Sequence, residues 1–167
     1  MTKTFPTLCA AVALACAFGL PFSSTARAAD ATSVEADSGI FKVKSAYSVA
    51  ETVARLKKDV ADKGIKFFME IDQTQLAADA GIKLRPSTLL VFGNPPLGTL
   101  FINANPLAGL DWPVRLLVLQ DEKGDVWAAY TDFAGIARRH HIQGTDIEAF
   151  NKASGVIASI TSSVAAK

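Results

Sequence analysis

The sequence predicts an α+β domain, a two-layer sandwich in which a mainly antiparallel sheet packs on helices. Three observations carry this. Apolar residues switch between helical and strand spacing along the chain, capping residues punctuate those segments, and one pair of strands is joined by a short polar turn. The order reads β-α-β-α-β-α-β-β-α-α, and a tight hairpin places at least part of the sheet in antiparallel pairing.

The first strand is Ile40 to Ala46, preceded by the small, polar, aperiodic stretch Asp30 to Ser38, which reads as part of a flexible leader over residues 29–39. Ser48 and Glu51 form a capping box for a helix carrying Val49, Val53, Leu56 and Val60, and Gly64 stops it. Its polar face pairs opposite charges four residues apart, as a solvated face does. Strict alternation then predicts a half-buried strand with Ile65, Phe67, Met69 and Ile71 on one face and Lys66, Phe68, Glu70 and Asp72 on the other. Asp72 caps a short helix ending at Gly81, and Arg85-Pro86 leads into the apolar strand Thr88 to Phe92. Asn94 followed by Pro95 and Pro96 starts a helix running to about Asn103, which Asn105-Pro106 ends. Val114 to Asp132 reads as a hairpin turning at Asp121 to Gly124. A short helix marked by Phe133, Ile136, Ala137 and His140 follows, and Thr145 with Glu148 opens the last helix. A single domain over residues 40–163 accounts for all of these elements.

The start of the chain reads as a secretory signal peptide, residues 1–28. Lys3 precedes an apolar run from Leu8 to Leu20, and Ala26 and Ala28 supply the small residues of a cleavage site, so the cut is expected after Ala28. The run of about 13 residues is shorter than the roughly 20 that span a bilayer, so no stable membrane span is expected. Cys16 admits a lipoprotein reading, but Ala13 stands where that signal usually has leucine. Both cysteines, Cys9 and Cys16, would leave with the signal, which removes thiol catalysis, disulfides and thiolate metal sites from the mature chain. Lys3 and Arg27 would leave too, so 17 basic residues become 15 against 16 acidic ones, a formal charge of −1. Interleaved charges of that balance argue against a nucleic-acid partner. The expected location is the periplasm.

Several unusual pieces occur in a specific order: Leu84-Arg85-Pro86-Ser87, Val91-Phe92-Gly93-Asn94-Pro95, Leu97-Gly98-Thr99, Asp111-Trp112-Pro113, and Asp125-Val126-Trp127 through Tyr130 to Arg139-His140. In these the chain resembles the bacterial family known as domain of unknown function 302, over about 100 residues with the preceding strand and helix. The resemblance implies a compact α+β fold and no particular reaction. Family members often carry histidine where this chain has Gln73; His140 matches a family histidine, and His141 stands where glycine is common.

The loop from Phe92 to Thr99 is the most unusual local feature. Its backbone amides at a helix start could hold an anion, but two prolines remove two donors and no lysine follows as in a phosphate loop, so cap and turn roles explain it better. His140 and His141 are neighbours on a helix and diverge by about 100°, so a shared metal is disfavoured. With Arg138 and Arg139 they suit the negative end of the helix dipole. Asp132 reads as a helix cap, and Arg85 and Asp111 could form an ion pair. Arg85, Gly93, Asn94, Thr99, Asp111, Arg115, Tyr130 and His140 are the candidate ligand-binding residues, meeting only if folding brings them together. No hydrolase, zinc-protease, dinucleotide or nucleotide motif occurs, and no cofactor or metal is expected. The leading reading is a non-enzymatic module binding a small molecule or a protein. The alternative is an enzyme using His140 with Asp111, Tyr130 or Arg115 beside the Gly93 to Thr99 loop. Homodimerisation is a third option, since neither strand edges nor the exposure of Trp112 can be read from sequence.

Overall fold

The computed structural model describes residues 32–35, 39–144 and 147–166. The signal segment, the cleavage position and Thr145 of the second capping box lie outside these residues. Six strands form one sheet: β1 (Thr32–Glu35), β2 (Ile40–Lys44), β3 (Lys66–Asp72), β4 (Ser87–Gly93), β5 (Val114–Gln120) and β6 (Val126–Thr131). Their spatial order is β1-β2-β6-β5-β4-β3, and every neighbouring pair is antiparallel. The helices are α1 (Val49–Asp62), α2 (Gln73–Asp79), α3 (Pro95–Ala104), α4 (Phe133–Arg139) and α5 (Ile147–Ser162), with a 3₁₀ turn at Pro106–Leu110. This is the two-layer α+β architecture that the spacing predicts, with one addition. The segment expected to be a flexible leader contributes the edge strand β1, paired with β2 from Thr32 opposite Val43 to Glu35 opposite Ile40. Four residues are too few for an alternating pattern to register in the sequence.

The core lies between the sheet and the helices. Leu90 and Phe92 of β4, Leu116 and Val118 of β5, and Ala128 and Tyr130 of β6 face Leu56 and Val60 of α1 and Phe150, Ile157 and Ile160 of α5. The outer face of α1 carries the pairs Glu51–Arg55 and Lys58–Asp62 at the expected spacing, and Asp59 pairs with Lys63 just beyond the helix. These exposed pairs add little to stability and keep that face wet.

The predicted alternation of β3 is broken. Phe67 is opposite Phe92 and Met69 opposite Val91, which leaves Phe68 as an extra residue in a β-bulge. Beyond the bulge the phase is reversed. Phe67 stays with the core, whereas Met69 is half exposed. Glu70, opposite the buried Leu90, turns to the helix side and reaches Lys57 of α1 at 2.6 Å. Four apolar residues on one face is therefore a prediction that the structure corrects.

Three helices stop in the same way. Beyond α1, Gly64 N–H donates to the Ala61 carbonyl and Ile65 N–H to the Val60 carbonyl. Gly81 and Ile82 repeat this after α2 on Ala78 and Ala77, and His141 and Ile142 after α4 on Arg138 and Ala137. This double closure requires a left-handed residue, the usual place of glycine. Gly64 has φ 64°, Gly81 72° and His141 55°. A side chain in that region costs about 1–2 kcal/mol, and His141 is exposed, with nothing buried to offset it. His141→Gly is expected to raise the unfolding free energy by about 1 kcal/mol, read as a higher urea midpoint at unchanged slope.

Candidate functional site

At the C-terminal end of β4 the chain enters Gly93, Asn94, Pro95 and Pro96. Asn94 caps α3 through its side-chain oxygen, which accepts from Leu97 N–H at 3.1 Å. The two prolines occupy positions whose N–H groups would have no partner in the helix. The loop therefore serves as a helix entry, and it also lines a cavity. That cavity has a volume of about 840 Å³, within the range of small-molecule sites. Phe92 and Val114, paired across β4 and β5, form part of its lining. One wall is Leu97, Leu100 and Phe101 of α3; the opposite wall is Ala153, Val156 and Ile157 of α5. Phe101 stacks on Phe150 with ring centroids 3.9 Å apart, which ties the two helices together beside the space.

Trp112 completes the lining, and its placement is sterically demanding. A Cβ built on Gly98 would lie 2.0 Å from the indole Cε2, and one on Gly93 would lie 3.1 Å from the indole nitrogen. Phe68, the bulge residue of β3, meets the same indole edge-on at 5.9 Å between centroids. The ring thus sits on two backbone surfaces that only glycine leaves clear.

The residue before Trp112 anchors this loop. Asp111 has a nearly buried carboxylate: its Oδ2 lies 2.7 Å from His140 Nε2, and its Oδ1 accepts from Arg139 Nη1 at 3.0 Å. Arg115 approaches to 3.6 Å and donates to the Leu110 carbonyl. Asn105 Nδ2 donates to the His140 carbonyl at 2.9 Å. A buried carboxylate needs such partners, because leaving it unpaired costs several kcal/mol, of order 3–5.

Folding brings some of the sequence-predicted residues together and separates others. Asp111, Arg115 and His140 meet, and Tyr130 joins Asp111 and Arg115 around a void of about 10 Å³, enough for no more than one water. Burial pushes the Tyr130 phenol above its ordinary value; a hydrogen bond with Thr161 opposes the rise and the charge of Asp132 adds to it. The ring stacks on Phe41 at 5.5 Å as part of the packed interior. Gly93 and Asn94 line the large cavity, but Thr99 turns back to donate to the Pro95 carbonyl. Arg85 stands before the other end of β4 and faces Glu122 at 3.6 Å. The ion pair expected between Arg85 and Asp111 is thus replaced by separate partners for each. Asp132 caps α4 as expected, accepting from Ala134 and Gly135 N–H. The basic end of α4 is more than a dipole complement, since Arg138 pairs with Asp132 while Arg139 and His140 hold Asp111.

The family model for "Domain of unknown function DUF302" matches residues 41–160. The chain belongs to the DUF302 family. A solved structure of an uncharacterized conserved DUF302 protein from Bacillus stearothermophilus superposes with a TM-score of 0.69 at 18% identity, covering 76% of this chain and 98% of that one. That likeness establishes the shared fold. A protein of Brucella suis biovar 1 (strain 1330) named fluoride-specific ion channel FluC 1 is 39% identical over 106 residues, 64% of this chain and 42% of the relative. A protein of the same name from Brucella abortus biovar 1 (strain 9-941) matches at 39% identity, with 39% of its length covered. The DUF302 chain thus spans about two fifths of the length of these curated relatives. Among its described residues no helix is long and apolar enough to cross a membrane.

The DUF302 domain's cavity is lined by Trp112, Lys152 and Gly155, which are not among the binding candidates read from the sequence, and neither is Gly98, which lies against the indole. One signal was present for Gly98, since a glycine inside a helix suggests a close approach. Gly98→Ala is expected to destabilise the domain by about 2–3 kcal/mol, because the methyl must displace the Trp112 ring or the α3 backbone. Urea unfolding followed by tryptophan fluorescence would read both the loss and the shifted environment of the indole.

Proposed function

We propose that this DUF302 domain is a non-enzymatic binding module that takes a small, largely apolar molecule into the cavity between α3 and α5. The observation that supports this reading is the cavity itself: about 840 Å³ of space between apolar walls, with a few polar groups of Lys63, Asn94, Lys152 and Ser159 along its lining. An enzyme built on His140 and Asp111 draws support from their 2.7 Å contact. Of that pair, however, only Asp111 borders the small void, and among the described residues no histidine, cysteine or carboxylate lines the large cavity. Binding is therefore favoured over turnover. The fluoride-channel name belongs to proteins of which this chain matches a minor part, and the absence of a spanning helix among the described residues gives it no support here.

The proposal extends to place. Lys3, the apolar run to Leu20 and the Ala26, Ala28 pattern favour export to the periplasm with removal of residues 1–28. The protein recovered from a periplasmic fraction of a Gram-negative host should begin at Ala29; a full-length mass retained in the cytoplasm would contradict this.

Gly155 offers a test of the cavity that does not unfold the protein. It lies on α5, lines the space, and a Cβ there would meet nothing within 4 Å. Gly155→Leu is expected to strengthen the helix by about 0.5–1 kcal/mol while filling the cavity. Anilinonaphthalene sulfonate should bind the parent chain saturably at one site, and the variant at least about tenfold more weakly. Unchanged binding by a folded variant would place the site elsewhere.

A further inference from the structure

We infer that the cavity selects an amphipathic anion, a hydrocarbon body with a carboxylate-like head, and that Lys152 receives the head. This deepens the proposed function and rests on the cavity being the ligand site. The apolar body is specified by Phe92, Leu97, Trp112 and Ile157, which offer no hydrogen bond apart from the indole N–H. The sign of the head follows from the polar groups. Among the described residues no aspartate or glutamate lines the space, whereas Lys63 and Lys152 both do. Lys63 already holds both oxygens of Asp59, at 2.8 and 2.7 Å. Lys152 is exposed and has no carboxylate partner among the described residues, so its ammonium is the uncompensated charge at the cavity.

The neutral polar groups lean the same way. Asn94 Oδ1 accepts from Leu97 N–H in the cap, and its amide NH₂, a donor only, has no partner among the described residues. The Ser159 hydroxyl has no partner among the described residues and can donate as well. A cationic head would meet two ammonium groups. A neutral head would forgo the attraction of the Lys152 ammonium.

The test uses the full mature chain and three probes with one tail: decanoate, decanol and decyltrimethylammonium, titrated at neutral pH by calorimetry below their aggregation concentrations. Decanoate is expected to bind about tenfold tighter than decanol, and the cation more weakly than either. Lys152→Met should bring decanoate down to the affinity of decanol and leave decanol unchanged; Lys152→Arg should keep the preference. Equal affinity for decanoate and decanol in the parent chain would overturn the anionic head while leaving the apolar cavity reading intact. A preference that survives Lys152→Met would overturn the placing of the head. Binding of none of the three would overturn this inference, and unchanged anilinonaphthalene sulfonate binding by the Gly155→Leu chain would separately overturn the cavity reading itself.

Discussion

The Trp112 indole lies where a side chain on Gly98 would have to be, and much of the site depends on that overlap being avoided. Because Gly98 has no Cβ, the first turn of α3 can close onto the ring, and because Gly93 has none, the end of β4 can pass beneath it. The indole then separates strand from helix and forms cavity wall instead of core filling. Protein interiors are close-packed, so a space of this size persists only where rigid elements hold its walls apart. Here those elements are α3 and α5, joined through the Phe101–Phe150 stack, and the loop that carries the tryptophan.

That loop is held by charge as well as by packing. Asp111 stands one residue before Trp112, and its partners His140 and Arg139 come from the end of α4. The polar residues that look like catalytic candidates in the sequence thus meet, but around a carboxylate that is nearly buried and fully partnered. Their arrangement fixes the position of an aromatic ring. The distinction between a site and its scaffold lies in free volume: the cluster borders about 10 Å³, the ring about 840 Å³.

The elements legible in the sequence are those whose signals are local. The Ser48–Glu51 box with Gly64, the Asn94 cap before two prolines, and the Asp121 to Gly124 turn each place an element within a residue or two of its observed ends. The bulge at Phe68 was hidden because phenylalanine suits either face of a strand, so the apolar-polar pattern continues through it without a visible break. Arg85 looked like a partner for Asp111 because both lie in the matched motifs, yet β4 runs its full length between Arg85 and the cavity. Lys152 and Gly155 gave no sign at all: on an isolated α5 they are ordinary exposed positions, and only the approach of α3 and the β4 end makes them a mouth and a wall.

The bulge in β3 behaves like a frameshift written into a strand. On one side of Phe68 the residues keep the alternation that serves the core near the cavity; on the other side the same alternation, displaced by one, sends Glu70 to α1 and Met69 to the outer face. A single deletion of Phe68 would restore a regular ladder and leave Met69 opposite Val91 and Glu70 opposite Leu90, each on its present face. It would also remove the ring that meets Trp112 edge-on. The extra residue is therefore dispensable to the pairing on either side of it, and what it supplies is a ring at the cavity wall.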